Sequence, residues 1–155
     1  MDLHRRAELI ERYRAGAGEV DAALAGSGDA ELDAVPPGGG WTVRMVTHHL
    51  ADSEANSYFR VRKLLAEEAP LIQGYDQEEF ARRLHYDRPV ETSLTVFRAI
   101  RASTADLLDR LEDADWSRVG THSESGAYGV QDWLEIYAAH AFDHAEQIRR
   151  ARGAA

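Results

Sequence analysis

The sequence predicts an all-α fold, a four-helix bundle. Three observations carry that prediction: four long segments repeat apolar residues every three or four positions, no run alternates convincingly like a strand, and glycine- and proline-rich breaks separate the segments. A chain of 155 residues suits one domain, residues 1–155. At that size it can bury ~70% of its unfolded surface, so it needs no disulfide or structural metal to fold. No internal repeat is visible.

The first segment, Leu3 to Leu24, lines up Leu9, Ile10, Tyr13, Ala17, Val20 and Leu24. Gly16 and Gly18 interrupt it, each weakening a helix by ~1 kcal/mol against alanine. Gly26 to Gly40, GSGDAELDAVPPGGG, reads as a loop. The second helix starts after Thr42, a good N-cap, and runs to about Glu68, where Pro70 and Gly74 end it. Asp76 to Leu84 is expected to add one or two helical turns inside a long connection. The third helix follows Pro89, with Val90, Leu94, Phe97, Ile100, Thr104, Leu108 and Leu111 at steps of three and four. Glu112 to Gly129 reads as a turn or small hairpin. The fourth helix spans Val130 to about Arg152, with Trp133, Leu134, Tyr137, Ala141 and Ile148 on one face. The connection between the second and third helices, about twenty residues at up to ~3.3 Å each, is long enough to cross a whole helix. It therefore permits those two helices to run parallel, in an up-down-down-up order.

Eighteen basic against 27 acidic residues give a net charge of −9, which argues against nucleic-acid binding. The opening residues lack the apolar core of a signal peptide, and no apolar run approaches the ~20 residues of a membrane span. The expectation is a soluble cytoplasmic protein with no membrane partner. There is no cysteine, which excludes thiolate ligands and leaves histidine and carboxylate as the strong metal ligands.

Chemistry concentrates in YAAHAFDH, Tyr137 to His144. His140 and His144 are one turn apart on one face, since four residues turn a helix by only ~40° beyond a full turn. Both fall inside the apolar stripe of the fourth helix and so point into the bundle. Each could be a core histidine bonded to a neighbour. Two on one inward face would each cost ~1–3 kcal/mol if left unsatisfied, and a shared metal ion satisfies both. A third ligand must come from another helix, where His48 and His49 point ~100° apart and only one can face a given centre. His49 continues into a polar strip with Ser53, Asn56 and Arg60, whereas His48 shares the opposite flank with Ala55 and Phe59. The strip favours His49.

WTVRMVTHHLADSE (Trp41 to Glu54), NSYFR (Asn56 to Arg60), APLIQGYD (Ala69 to Asp76) and HSESGAYGVQDWLEIYAAHAFDHAEQIRRAR (His122 to Arg152), in this order and spacing, resemble the DinB superfamily and its YfiT-like branch. The resemblance implies an up-down-down-up four-helix bundle, a homodimer, and one divalent metal ion per chain, zinc, nickel or another. It implies His49, His140 and His144 as the ligands, the second-helix ligand being the histidine directly before Leu-Ala. Ser123 stands where relatives commonly have proline before the Glu-Ser-Gly turn, a departure expected to loosen that turn.

Three histidines on one ion leave a position open for water or substrate, the mark of a catalytic site. Two reactions follow. In one, the metal holds a low-molecular-weight thiol as thiolate and presents it to a small electrophile, as the resemblance to bacillithiol- and mycothiol-using relatives implies. In the other it activates water for hydrolysis, the label that many related sequences carry. No carboxylate stands on the His49 or His140 faces to act as a base, and this tilts the reading towards thiol transfer. A non-enzymatic, stress-responsive ligand-binding bundle is the third reading. Asn56, Arg60, Arg101 and Tyr137 are the candidates for holding a small-molecule substrate. Arg101, inside the apolar stripe of the third helix, requires either such an anionic ligand or a structural partner such as Glu54. His4, His85 and His122 fall in surface segments, and Asp143 and Glu146 point away from the stripe.

Overall fold

The computed structural model describes residues 1–153. Four long helices dominate: α1 (Leu3–Leu24), α3 (Val43–Ala66), α5 (Glu91–Leu108) and α7 (Val130–Arg152). Between them lie α2 (Asp29–Leu32), α4 (Gln77–Arg83) and α6 (Asp113–Trp116), and the strands β1 (Leu71–Ile72), β2 (Val119–His122) and β3 (Gly126–Gly129). Three of the four long helices start where a side chain takes an otherwise unpaired backbone N–H, and α5, with Val90 at its N-cap, starts without one. The Asp2 carboxylate accepts from Arg5 N at 2.8 Å, and Thr42 Oγ1 accepts from Met45 N at 3.2 Å. At the head of α7, Asp132 accepts from Gly129 N at 2.7 Å. The second and third helices stop at Ala66 and Leu108, short of the expected ends, although Leu111 still packs on the core after the turn.

Cross-helix bonds give the directions. On α1 and α7, Arg12 bonds to the Ala138 carbonyl and Glu19 to Arg149, so the two run parallel. Likewise His48 meets Ser93 and Glu54 meets Arg101, making α3 and α5 parallel. Antiparallel pairs close the ring: Arg14 with Asp109 and Asp21 with Arg98 join α1 to α5, while His49 against His140 and, further along, Ser57 with Trp133 join α3 to α7. This is the up-down-down-up order, made possible by the long connection from α3 to α5.

Two apolar clusters fill the bundle. One is built on Tyr13, Val61, Leu64, Leu108, Trp133 and Leu134, the other on Val20, Val46, Leu50, Phe97, Ala141 and Ile148. Along every long helix a polar or small residue separates the two: Gly16, Glu54, Arg101 and His140. Gly16 has a packing role that periodicity does not reveal. A Cβ there would come within 2.7 Å of both Arg101 Nη2 and the Ala141 side chain.

The expected hairpin is β2–β3, and the connection adds a third strand that the sequence reading lacks. β1 pairs parallel to β2, Ile72 opposite His122. Ser123 corrects the expectation of a loosened turn. Its N–H donates to Ile72 O at 2.9 Å, a bond proline cannot make, and its hydroxyl accepts from Gly74 N at 2.9 Å. Of the apolar residues near this loop, Leu71 is exposed, Ile72 is buried and Tyr75 is half-buried. Among the described residues, no helix is long and apolar enough to cross a membrane.

Candidate metal centre and its cavity

Because α3 and α7 run antiparallel, His49 near the start of one meets His140 and His144 in the middle of the other. One ring nitrogen from each lies within 4.8 Å of the others. His140 Nε2 and His144 Nε2 are 3.2 Å apart. Two nitrogens bound at roughly 2.0–2.1 Å to one tetrahedral ion stand ~3.3–3.4 Å apart, so the pair is already spaced as ligands. The edge of Trp41 packs on the His49 ring, 5.1 Å between centroids, and closes that side.

Protonation favours the same reading. Burial, with the charge of His144 adding to it, pushes His49 down to about 4. Burial holds His140 well below the ordinary histidine range, reinforced by His144, His49 and Arg101, and it lowers His144 as well. All three rings are therefore neutral at pH 7 and offer lone pairs. His144 Nδ1 donates to Gln147 Oε1 at 2.8 Å, which leaves its Nε2 free to ligate. The Nδ1 atoms of His49 and His140 are buried and without partners. Three neutral imidazoles of this kind fit a divalent ion of the zinc or nickel type.

His48 is excluded by its own bonds. Its Nε2–H donates to Arg88 O at 2.9 Å, and its Nδ1 accepts from the Ser93 hydroxyl at 2.8 Å. It is a satisfied core histidine on the face towards α5.

A cavity of about 200 Å³ opens beside the triad. Helix α3 gives it Ser53 and Arg60, and α7 gives Tyr137 and His140. Tyr75 and Gln77 enter from the connection, and His122 and Glu124 from the hairpin. A larger hollow of about 430 Å³, around Thr42, Met45, His85 and Tyr86, contains none of the three histidines. Size alone does not locate the chemistry here.

Two of the expected substrate residues reach this cavity. Arg60 donates to Tyr137 Oη at 3.1 Å and to Gln73 O at 2.9 Å. Burial raises the Tyr137 phenol, so it keeps its proton. The other two do not line it. Asn56 turns back along its own helix and donates to Asp52 O at 2.8 Å. Arg101 is 1% exposed and committed to structure: it pairs with Glu54 at 2.8 Å, donates to Tyr13 O at 3.1 Å and lies 3.9 Å over the Tyr13 ring. The structural partner expected for it, Glu54, is the one it has. Sequence reasoning also passed over two cavity residues. His122, assigned to the surface, is half-buried in the wall, and Glu124 supplies the carboxylate that neither helix face offers. The Glu124 carboxylate packs on Gly74, where a Cβ would come within 2.6 Å of Oε2. The only sequence signal for it was the Glu-Ser-Gly turn itself.

An antiparallel-and-parallel helical ring around a three-histidine centre defines the class of protein. The chain belongs to the DinB superfamily, whose profile matches residues 12–148. It is 40% identical over 118 residues to a protein of Oceanobacillus iheyensis named "putative metal-dependent hydrolase", covering 76% of this chain and 69% of that one. A Bacillus mycoides protein of the same name is 34% identical over 134 residues, covering 86% and 78%. Among solved structures, the chain superposes on YfiT from Bacillus subtilis, described as a probable metal-dependent hydrolase with an unusual four-helix bundle topology. The TM-score is 0.91 at 27% identity, covering 100% of this chain and 91% of YfiT.

Proposed function

We propose that this protein is a metal-dependent hydrolase of a small molecule. The observation that carries the reading is Glu124, a carboxylate in the same cavity wall as the ligand His140. His49, His140 and His144 would hold a divalent ion, zinc or nickel, which would supply a Lewis acid and activate a water. Glu124 takes the proton from the attacking water and returns it to the leaving group as the carbonyl carbon exchanges one bond for another. Tyr137 donates its hydroxyl proton towards the carbonyl oxygen, while Arg60 holds the phenol in place from behind. The names of the relatives agree with this chemistry.

Transfer of a low-molecular-weight thiol to a small electrophile is the second reading. It is favoured by the ligand set: three neutral imidazoles leave the full charge of the ion for a thiolate. Both readings go with a cytoplasmic homodimer, with exposed Leu71 beside the hairpin available to the second copy.

One experiment separates them. Metal-replete protein is offered panels of esters, amides and lactones, and separately monochlorobimane with bacillithiol, mycothiol, glutathione or cysteine. Hydrolysis that falls ~10²–10⁴-fold in Glu124→Gln, with metal content unchanged, supports the first reading. Thiol consumption that survives Glu124→Gln and vanishes in His140→Ala replaces it with the second. Neither reaction, with metal still bound, leaves a stress-responsive binding bundle.

A further inference from the structure

Two residues in the wall of the cavity beside the histidines, Arg60 and Tyr75, each carry a hydrogen-bond donor without a partner. Arg60 Nε is buried without a partner, and the hydroxyl of Tyr75, with Ser53 beside it, makes no hydrogen bond of good geometry. The two are neighbours, with the Arg60 guanidinium carbon 5.8 Å from the Tyr75 ring centre. The other two Arg60 nitrogens are anchored, on Tyr137 Oη and Gln73 O, which sets the orientation of the guanidinium plane. Among the described residues no carboxylate oxygen lies within 4.0 Å of it. Arg101, the buried arginine next along the bundle, has Glu54 at 2.8 Å. A guanidinium has five donors in a planar fork matched to a carboxylate, and a buried donor left open is costly.

We infer that Arg60 and Tyr75 form an anion subsite, and that the substrate is a small amide or ester carrying a carboxylate. The bond to be cleaved rests on the hydrolytic reading above; the anion subsite does not. The geometry orients such a substrate. Tyr137 touches Arg60 at one end, and its ring is 5.7 Å from that of His140 at the other, so a carboxylate on Arg60 lies one tyrosine's width from a metal ligand. A volume of about 200 Å³ is below the ~300–1,000 Å³ of pockets for drug-sized ligands, which limits the substrate to a few heavy atoms beyond the reacting group. The net charge of −9 gives anions no long-range attraction, so recognition is by contact. Glu124, the one carboxylate among the cavity residues, opposes a bound anion and limits its affinity.

The test compares N-acetylglycine with its neutral twin N-acetylglycinamide, by calorimetric or NMR titration into metal-loaded and metal-stripped protein. The expected result is a preference for the carboxylate of about tenfold or more in both forms, the scale of one charge-assisted hydrogen bond. Arg60→Gln makes the two ligands equal, Tyr75→Phe weakens only the carboxylate, and Glu124→Gln tightens it. Equal binding of the two ligands to the wild type overturns the subsite. So does a preference that disappears with the metal and survives Arg60→Gln, because the carboxylate then sits on the ion. If Arg60→Gln fails to fold, the opposite shifts in Tyr75→Phe and Glu124→Gln decide alone, and their absence overturns the subsite. Carboxylate preference through Arg60 without cleavage of the matching amides and esters removes the hydrolytic reading and leaves the subsite standing. Cleavage of neutral substrates without that preference does the reverse.

Discussion

Glu54 and His140 face the same interior from neighbouring levels of the bundle, and their surroundings differ in kind. Around Glu54 both oxygens are engaged, one by Arg101 at 2.8 Å and one by the Tyr13 hydroxyl at 2.5 Å, and Arg101 spends its remaining donors on backbone carbonyls. Around the histidines, two ring nitrogens are buried with no partner and two others face each other at 3.2 Å. Buried polar groups are nearly always paired, so a satisfied cluster needs no ligand, while an unsatisfied one in a fold this well packed points to something that completes it. Chemical type alone does not make the distinction. Arg101 and Arg60 are both inward arginines, and only their partners separate a structural residue from one facing a cavity.

The comparison is broken most forcefully on the satisfied side. Glu54→Ala leaves Arg101 buried and unpaired, and unfolding by denaturant should show a loss of about 3–5 kcal/mol. Replacing both partners, Glu54→Leu with Arg101→Met, should recover much of that loss, because the cost lies in the orphaned charge. A loss below 1 kcal/mol for the single variant would mean that water reaches the cluster and that it is not the closed structural unit described above.

On the unsatisfied side the effect appears only with metal. Zinc or nickel added to metal-free protein at about one hundred times Kd should raise stability by about 2.7 kcal/mol. His144→Ala should show no such rise and no stoichiometric metal. An equal rise in the variant would place the metal elsewhere.

The two clusters also meet differently with helix α1. Gly16→Ala forces a Cβ against Arg101 and Ala141, and overpacking at about 1–3 kcal/mol outweighs the ~1 kcal/mol gained in helix propensity. Gly18→Ala, with nothing within 4 Å of its Cβ, should instead stabilise by up to ~1 kcal/mol. Shifts of the same sign in the two thermal melts would remove the packing role assigned to Gly16.

The sequence treats those two glycines alike, and this marks where its legibility ends. Helices α1 and α7 lie where periodicity and capping put them, Leu3–Leu24 and Val130–Arg152, because their signals are local. His140 and His144 are legible for the same reason: two residues on one turn of one helix. What depends on distant partners is not legible. β1 is two residues long and exists through its pairing with β2, and Gly16 matters only because α5 brings Arg101 across it. Glu124 sits on an exposed hairpin turn with no period to mark it, so helix faces alone do not reveal it. The helical face of Asn56 does not show that its amide turns to the carbonyl one turn back.

His48 is the finest test of the comparison, because it differs from His49 by one position and ~100° around the helix. Both are buried, at 0% and 2% exposure, so burial cannot distinguish them. Bonds can: His48 has a partner on each nitrogen, and His49 Nδ1 has none. Glutamine carries one donor and one acceptor group, so His48→Gln can keep one of the two bonds, to Arg88 O or to Ser93. Its cost should therefore be about 1 kcal/mol, the worth of one lost hydrogen bond, read as a small drop in the unfolding midpoint. Metal content should stay at one ion per chain. The same change at His49 should leave stability of the metal-free protein nearly as it was and lower metal content sharply, because an amide is a poor ligand where an imidazole was needed. Loss of metal in His48→Gln with retention in His49→Gln would exchange the two roles. It would also mean that hydrogen-bond satisfaction fails to sort structural from functional histidines in this bundle.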